Sequence, residues 1–234
     1  MRLEKYESLG NDFLFLLDDA GDADVDGSTA RAACRDDGAD GFILARRGRD
    51  GVDVVMRLWN SDGSAAEISG NGLRCLGRAV VDAVWFPERE LTILTDAGLR
   101  RVSFDGDVVA AEMGTPKLSD GGVVDVGNPH LVLDDTGQDL ASLGAQHPEL
   151  NVELFRVGPE ADALTMRVWE RGAGETLACG SGAVAVAAVA HDHGLVGPIV
   201  TVHQPGGAAV VALRADGSAL LSGPVTKLGT VEAS

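Results

Sequence analysis

The segment MRVWERGAGETLACGSG, residues 166–182, decides the fold once it is set beside MRLWNSDGSAAEISGNG, residues 56–72. Both segments begin with Met, Arg, an aliphatic residue and Trp, and both end with two glycines that flank one residue. An offset of 110 residues, from position 56 to position 166, aligns them without a gap and sets Ser69 on Cys179. The sequence therefore predicts that one structural unit occurs twice.

A second pair of similar segments lies upstream and in the same order. Residues 10–16, GNDFLFL, resemble residues 127–133, GNPHLVL, at an offset of 117 from position 10 to position 127. Two pairs in one order and at nearly equal offsets favour duplication over coincidence. The period is far too long for a solenoid.

The residues around these pairs predict strands and one helix in each copy. Residues 52–60 and 163–170 are rich in apolar and β-branched residues and end at turn residues. A helical pattern follows each glycine motif, from Leu73 to about Val84 and from Ala183 to about His193. Further short strands are predicted in LTILTDAG, RVSFDG, VVAAEM, IVTVHQPG, AAVVALRADG and ALLSGPV. Because Gly and Asp turns separate the strands, we expect largely antiparallel or mixed sheet that covers a wholly apolar helix.

Composition excludes several classes of protein. The chain has 234 residues, of which 45% are hydrophobic, which suits one large or two small domains. Its formal charge of -17 opposes binding to nucleic acid or to an anionic membrane surface. The longest apolar run, residues 183–190, is far shorter than the roughly 18 residues of a membrane span. The aspartate-rich, lysine-poor surface fits either adaptation to salt or simple solubility.

The cysteines and the N-terminal residues indicate the cellular compartment in which the protein is expected. Cys34, Cys75 and Cys179 are odd in number and have no paired spacing, which argues against a disulfide framework. The opening segment MRLEKYESLGND is charged and has no apolar signal core. We therefore expect a soluble protein of the cytoplasm.

Cys179 is the first candidate for chemistry. It precedes Gly-Ser-Gly at a predicted helix start, where unpaired backbone N–H groups and the helix dipole favour negative charge. This position predicts that the thiol pKa is lowered from its usual value of about 8.5 toward neutrality. The same N–H groups can hold a substrate carboxylate. A single cysteine is often only a small buried residue, but the glycines and the polar loop before Cys179 favour a functional role.

The duplication predicts that Ser69 and Cys179 face each other across one cleft. Two opposed acid/base groups suit the removal of a proton from one face of a carbon and its return to the other face. The predicted chemistry is therefore the inversion of a stereocentre.

The sequence lacks the residues that several other types of enzyme reaction require. Enzymes that use pyridoxal phosphate need a lysine, and none of Lys5, Lys117 and Lys227 lies in a glycine-rich or helix-start motif. The segment at 70–75 lacks the third glycine of a dinucleotide fingerprint. No HExxH or CxxC occurs, and residues 191–193, His-Asp-His, are interpreted as an exposed helix end. We expect neither a cofactor nor a metal.

Amide and charged side chains form the second group of candidates. Asparagine is a common turn residue, but an amide can also hold the carboxylate and ammonium groups of a zwitterion. Glu170 and Arg171 add one group of each sign. The asparagines in question are Asn11, Asn60, Asn71, Asn128 and Asn151.

Together these motifs resemble diaminopimelate epimerases, which interconvert LL- and meso-diaminopimelate without pyridoxal phosphate in lysine and peptidoglycan synthesis. The resemblance runs in order through SLGNDF, GADGF, NSDGSAAEISGNGLRC, GNPH, NVELF, ERGAGETLACGSGA and GPV. It implies an α+β fold of two pseudo-symmetric domains, each a mixed or antiparallel, barrel-like sheet around a central helix, with the active site in the cleft between them. We expect domains at 1–114 and 115–221, a linker within 114–122, and a last strand at 222–234 that packs on the first domain.

The resemblance also implies roles for individual residues. Cys179 and the residue at position 69 are the acid/base pair, and His130 and Glu170 are their polar neighbours. The expected partner is a small amino-acid substrate, and a homodimer is expected from the habit of the family. The substrate-binding residues implied are Asn11, Asn60, Gly70, Asn71, Asn128, Asn151, Glu170, Arg171, Gly180 and Ser181.

Ser69 departs from the family, which has cysteine at this position. A serine hydroxyl is far less acidic than a thiol, so it is a weak base unless another group takes its proton. Cys75 cannot simply replace the thiol, because it lies six residues after Ser69, nearly two helical turns further along the chain. Ser69 is an engineered replacement, a natural change assisted by His130 or another group, or the mark of a relative with another substrate.

Three functions stay open at this level. The first is epimerisation of diaminopimelate. The second is racemisation, epimerisation or dehydration of another amino or imino acid. The third is binding of an amino acid without turnover.

Overall fold

The computed structural model describes residues 1–233, and these divide into two units. Unit 1 comprises Met1–Ala111 and the chain from Pro224 onward, and unit 2 comprises Glu112–Gly223. Each unit has its own sheet and its own central helix.

Unit 1 is a mixed sheet with two helices. Its strand order is β18-β1-β2-β3-β4-β6-β7-β8, in which β2 with β3 and β4 with β6 run parallel and the other neighbours run antiparallel. The short strand β5 pairs with β4. The elements are β1 (Arg2–Ser8), β2 (Asn11–Asp18), α1 (Gly27–Asp37), β3 (Gly41–Arg47), β4 (Val54–Asn60), β5 (Ala65–Ala66), α2 (Gly70–Asp82), β6 (Leu91–Thr95), β7 (Gly98–Asp105), β8 (Val108–Gly114) and β18 (Thr226–Glu232).

Unit 2 repeats this order with the same polarity. Its strands follow β9-β10-β11-β12-β13-β15-β16-β17, with β11 parallel to β12, β13 parallel to β15, and β14 paired with β13. The elements are β9 (Lys117–Ser119), a 3-10 turn (Asp120–Gly122), β10 (Val123–Asp125), β11 (Pro129–Asp134), α3 (Leu140–Gln146), β12 (Asn151–Val157), β13 (Ala163–Glu170), β14 (Gly174–Thr176), α4 (Gly180–Asp192), β15 (Ile199–Gln204), β16 (Gly207–Leu213) and β17 (Ala219–Pro224). The predicted duplication and the predicted mixed sheet are confirmed. The stretch 114–122, predicted as a linker, contains β9 and the 3-10 turn.

The central helices α2 and α4 are each 13 residues long. Small residues let the strands approach α4 on all sides, and its residues 180–190 are all buried. In α2 burial is complete over residues 70–77. Near its C-terminal end, Arg78 lies within ion-pair distance of Asp82 and Glu88.

Both helices begin earlier than the sequence predicts. The predicted starts were Leu73 and Ala183, whereas the helices begin at Gly70 and Gly180. Glycine has a low helix propensity and hid the first turn from the sequence pattern. That turn forms because the preceding side chains cap it, with the Gly72 N–H donating to Ser69 Oγ at 3.1 Å.

Helices α1 and α3 were not predicted, and they explain why strands β3 and β12 are buried on both faces. Successive side chains of a strand point to opposite faces. In β3, Phe42 and Leu44 pack with α1, whereas Ile43 points toward α2. In β12, Val152 and Leu154 pack with α3. The residue between them therefore points toward α4.

No helix in the described part of the chain has the length and apolar character that a membrane crossing needs.

Candidate functional site

Each unit places an equivalent polar residue at the start of its central helix. Ser69 has φ −130° and ψ 124°, and Cys179 has φ −129° and ψ 117°. Strand register extends this equivalence, because Phe13 pairs with Gly41 in unit 1 where His130 pairs with Asn151 in unit 2. We call the unit 1 set the Ser69 half-site: Asn11, Phe13, Gly41, Ile43, Asn60, Ser69 and Asn71. We call the unit 2 set the Cys179 half-site: Asn128, His130, Asn151, Glu153, Glu170, Cys179 and Ser181.

The Cys179 thiol is held on several sides. Its residue is only 5% exposed, and its backbone N–H donates to Gln204 Oε1 at 2.7 Å. The Gly182 N–H donates to Sγ at 3.4 Å, and Ser181 Oγ lies 3.5 Å from Sγ. The side chain of Glu170 lies close enough to the thiol for each group to affect the pKa of the other.

The predicted lowering of the Cys179 pKa is wrong. Burial, together with the negative charges of Glu170 and Glu153, raises the pKa of the thiol well above its ordinary value. The bonds from Ser181 and from the helix start act in the opposite direction. A helix terminus contributes only about 0.3–1 kcal/mol, whereas complete burial can shift a pKa by about 3–5 units. Desolvation and the carboxylates therefore dominate, and the resting thiol is protonated.

A titration of the thiol tests this. In a Cys34→Ala/Cys75→Ala variant, we expect the thiolate absorbance of Cys179 to appear with a midpoint well above the value of about 8.5 for free cysteine. The same variant carrying Cys179→Ser supplies the baseline, which removes the contribution of Tyr6. A midpoint at or below the value for free cysteine contradicts the expectation.

Glu170 is the carboxylate partner of the thiol. It lies at the end of β13, and Thr176 Oγ1 donates to its Oε1 at 2.5 Å. Burial raises the pKa of Glu170, and its interactions with Thr176 and Cys179 partly offset that rise. Cys179 and Glu170 thus both favour the protonated state more than usual, and their proximity suits the passing of a proton between them.

A buried acid that the sequence analysis missed lies beside His130. Glu153 Oε1 is 2.6 Å from His130 Nδ1, and both side chains are fully buried. His130 Nε2 lies 3.0 Å from Asn128 Oδ1, and Asn128 Nδ2 donates to Ser181 Oγ at 3.2 Å. The signal in the sequence was a single acidic residue inside the apolar strand NVELF.

Asn151 and Arg171 brace this half-site. Asn151 Nδ2 donates to the Pro129 carbonyl at 3.1 Å, and its Oδ1 accepts from the Arg171 backbone N–H at 2.9 Å. The start of β12 is thereby tied both to β11 and to the turn after β13. The structure thus brings together the unit 2 residues predicted from sequence, with Gly180 in the first turn of α4.

The Ser69 half-site has a different chemical character. Phe13 and Ile43 occupy the positions of His130 and Glu153, and both are buried close to Gly72. None of the seven residues of the Ser69 half-site carries an acidic, basic or thiol side chain. Ser69 is half-buried, and its hydroxyl accepts from the Gly72 N–H.

The predicted asparagines of unit 1 have local partners. Asn11 Nδ2 donates to Asp40 Oδ2 at 2.9 Å, and burial raises the pKa of that carboxyl. Asn60 Nδ2 donates to Ser64 Oγ at 3.0 Å. Asn71 lies in the first turn of α2, after Gly70, and is fully buried.

Arg74 is a second functional candidate that the sequence analysis missed. Its side chain is fully buried, and its Nη2 donates to Asn71 Oδ1 at 2.5 Å. Burial lowers the pKa of Arg74 to about 10, so the guanidinium is charged at neutral pH. Within the described chain, Arg74 Nη1 and Asn71 Nδ2 lack hydrogen-bond partners. A buried cation and hydrogen-bond donors without partners in the described chain thus lie at the start of α2. The sequence feature that indicated this site was an arginine inside a buried turn of the helix.

The three lysines lie in ion pairs away from both helix starts. Lys5 pairs with Asp12 and Asp37 at 2.7 and 2.5 Å, and Lys227 pairs with Glu4 at 2.9 Å. Lys117 Nζ lies 3.7 Å from Asp125.

Comparison with known proteins gives consistent matches over almost the whole chain. A family model described as Diaminopimelate epimerase matches residues 4–119 and 122–228. The chain is 35% identical to a protein named diaminopimelate epimerase from Cyanothece sp., with 97% of this chain and 98% of the relative covered. A protein of the same name from Desulfitobacterium hafniense is 34% identical, with 96% and 95% covered.

Solved structures show the same fold at lower identity. A protein described as a predicted epimerase from Pseudomonas aeruginosa superimposes with a TM-score of 0.79 at 20% identity, covering 99% of this chain and 98% of the other. A hydroxyproline epimerase from Agrobacterium vitis, solved with bound trans-4-hydroxy-L-proline, gives a TM-score of 0.76 at 16% identity, covering 99% and 91%. The likeness confirms the predicted α+β fold of two barrel-like units.

Proposed function

Because the chain belongs to the diaminopimelate epimerase family and is thereby an amino-acid epimerase, we propose that it interconverts LL- and meso-diaminopimelate without a cofactor. The Cys179 half-site carries this proposal. It holds a thiol at a helix start close to the carboxyl group of Glu170, and such a pair can move a proton to and from a carbon.

The proposed reaction begins with activation of Cys179. Glu170 takes the thiol proton, which leaves a thiolate and a neutral carboxyl group. The thiolate then removes the proton from the α-carbon of the substrate and becomes a thiol again. Positive charge near a thiol favours the thiolate, so the ammonium group of a substrate at Glu170 promotes the first step.

Binding of the substrate carboxylate is assigned to the helix starts. Backbone N–H groups at a helix N-terminus bind anions, and Gly180 and Ser181 provide them in unit 2. Gly70 and Asn71 provide them in unit 1. Arg74 supports this assignment, because its buried guanidinium adds a positive charge there and donates to two uncharged acceptors, the Gly70 carbonyl and Asn71 Oδ1.

Ser69 is proposed to deliver the second proton to the opposite face of the α-carbon, either from its hydroxyl or from a water molecule that it holds. Solvent then returns a proton to the Ser69 side and takes up the proton that Glu170 gained, which restores the starting state. Phe13 and Ile43 offer no group to take a proton from Ser69, so the serine is poorly equipped to act as a base. In one direction of the reaction, Ser69 must remove the proton from the α-carbon. We therefore expect the chemical step in that direction to have a higher barrier than in the direction where Cys179 removes the proton.

Isotope exchange tests the proposed function. We expect deuterium to enter the α-carbon of LL-diaminopimelate in deuterated water, with the meso form appearing, and we expect no exchange with Cys179→Ala. Proton NMR follows both changes. If neither the unaltered protein nor a Ser69→Cys variant gives α-deuteration, the proposal is wrong. Thermal stabilisation by the ligand in that case identifies a binding protein.

Parallel incubations define the substrate. Proline, hydroxyproline and single amino acids are offered under the same conditions. Exchange with one of these and not with diaminopimelate contradicts the substrate assignment and retains the chemistry.

A further inference from the structure

The first turn of α2 holds a buried positive charge whose hydrogen-bond partners are uncharged. The Arg74 side chain is fully buried. In the described part of the chain its guanidinium donates only to the Gly70 carbonyl at 3.3 Å and to Asn71 Oδ1 at 2.5 Å, and its Nη1 has no partner. Charged side chains are almost never fully buried unless an opposite charge pairs with them, because burial of a lone charge is costly. Arg74 thus lacks, among the described residues, the anion that a buried arginine normally has.

The guanidinium decides which way the Asn71 amide faces. A guanidinium only donates hydrogen bonds, so the atom of Asn71 opposite Nη2 is its oxygen. Nδ2 is therefore turned away from Arg74, and within residues 1–233 it has no hydrogen-bond partner. At the same position of α4, Ser181 Oγ lies 3.5 Å from Cys179 Sγ. The second residue of each central helix therefore belongs to the half-site at the start of that helix.

Unit 2 indicates that the fold does not need this charge. The two central helices are equally long, and the offset of 110 residues sets Arg74 on Val184 and Asn71 on Ser181. Val184 is fully buried, and α4 forms and is capped as α2 is. A buried and unpaired cation destabilises a site that accepts valine. The charge of Arg74 therefore calls for a reason other than folding.

This charge lies beside groups that bind anions. The first N–H groups of a helix have no partner within the helix and bind anions. Because the Arg74 side chain bonds residues 70 and 71, its guanidinium lies next to the N–H groups of that turn. Coulomb attraction is strong at short range in a buried site. The Cys179 half-site contains Glu153 and Glu170, whereas none of the seven residues of the Ser69 half-site is acidic. Unit 1 is therefore the half that favours a negative charge.

We propose that Arg74 is a positioning residue that fixes the Asn71 amide in the first turn of α2, and that its unpaired charge draws a substrate carboxylate to the N–H groups of that turn. Arg74 acts on binding, because its charge is the same before and after the transfer of a proton at the α-carbon. The choice of diaminopimelate as the ligand rests on the proposed function, whereas the dependence of binding on Arg74 needs no turnover.

Arg74→Met separates a role in binding from a role in folding. Methionine is also long and unbranched but carries no charge. We expect the Kd of LL-diaminopimelate, measured by titration calorimetry, to rise about tenfold or more, as loss of hydrogen bonding and charge at a binding site implies. We expect KM to rise with it and kcat to stay within about threefold. The Tm should not fall, because a buried unpaired charge has been removed. A lower Tm with an unchanged Kd indicates a structural role and overturns the proposal.

Arg78→Met is the matched control, since it removes the same charge from the same helix. Arg78 lies near the other end of α2, within ion-pair distance of Asp82 and Glu88. We expect its replacement to leave the Kd within about twofold, because a partly exposed ion pair contributes little. An equal loss of affinity in both variants assigns the effect to net charge and overturns the proposal.

A second variant takes its residues from unit 2. Asn71→Ser/Arg74→Val copies Ser181 and Val184, which are already accepted at these helix positions. We expect it to fold with an unchanged circular dichroism spectrum and to lose affinity at least as far as Arg74→Met. Unaltered affinity in this folded variant overturns the proposal.

A ligand without carboxylates shows which group of the ligand Arg74 serves. The diamide of diaminopimelate keeps both ammonium groups and lacks both carboxylates. We expect the ratio of the two ligands' Kd values to shrink about tenfold in Arg74→Met, as a double-mutant cycle measures it. A ratio unchanged by the variant overturns the proposal, even where the unaltered protein exchanges the α-proton. Binding that depends on Arg74 in a protein that exchanges no α-proton counts against the proposed function alone.

Discussion

The Ser69→Cys variant is expected to epimerise LL-diaminopimelate at least about a hundredfold faster than the unaltered chain. A positioned acid/base group contributes about 10²–10⁴-fold to rate, and a thiol ionises far more readily than a hydroxyl. The backbone already accepts this residue, because Cys179 caps α4 with nearly the same φ and ψ as Ser69. The positive charge of Arg74 and the start of α2 favour a thiolate there.

Two control variants test whether the gain in rate depends on the position of the new thiol or only on the presence of a thiol. Ser69→Ala is expected to be slower than the unaltered protein, because it removes the hydroxyl. Cys75→Ala in the Ser69→Cys background is expected to leave the gain intact, since Cys75 is fully buried within α2. Rates are measured by NMR as formation of the meso form. A Ser69→Cys variant no faster than the serine protein refutes an acid/base role at this position.

Loss of Cys179 is the second large effect. Cys179→Ala should reduce α-proton exchange by about a thousandfold or more, within the range that acid/base groups contribute. The loss should appear in kcat, because the carboxylate-binding N–H groups of α4 stay in place. Cys179→Ser should fold, as the serine cap of α2 demonstrates, and should be nearly as inactive.

Cys34→Ala is the matched control for this experiment. Cys34 is a buried cysteine on the inner face of α1 in unit 1, outside both half-sites. Its replacement is expected to leave exchange within about twofold of the unaltered rate, because surface- and core-packing changes away from a site act mainly on stability. Exchange that survives in Cys179→Ala contradicts the assignment of the base.

The sequence predicted the duplication because the glycine motifs and their flanking strands repeat without a gap. It also indicated Ser69, Cys179 and Glu170 as candidates, because each follows a strand or precedes a helix at a matched position. It did not predict α1 or α3, whose short amphipathic patterns carry no repeated motif. It missed Glu153 and Arg74, because their importance lies in burial, and burial depends on elements distant in the chain.

The prediction of a lowered pKa for Cys179 was wrong for the same reason. The helix start is visible from neighbouring residues, and its effect alone lowers the pKa. The opposing effect comes first from burial of the thiol and then from Glu170 on β13 and Glu153 on β12, which the fold places near the thiol. The residues near Cys179 in sequence thus account for the smaller effect on its pKa, and the tertiary structure accounts for the larger effect.

The apolar pair Phe13 and Ile43, set at the positions of His130 and Glu153, also bears on how such an enzyme arises. In a symmetric dimer of identical half-length chains, any substitution would change both copies together, because one gene would encode both. Joining the copies in one polypeptide removes that constraint. In this chain one repeat carries ionisable side chains at these positions and the other carries hydrocarbon side chains, a difference in chemistry that a symmetric dimer of identical chains cannot have.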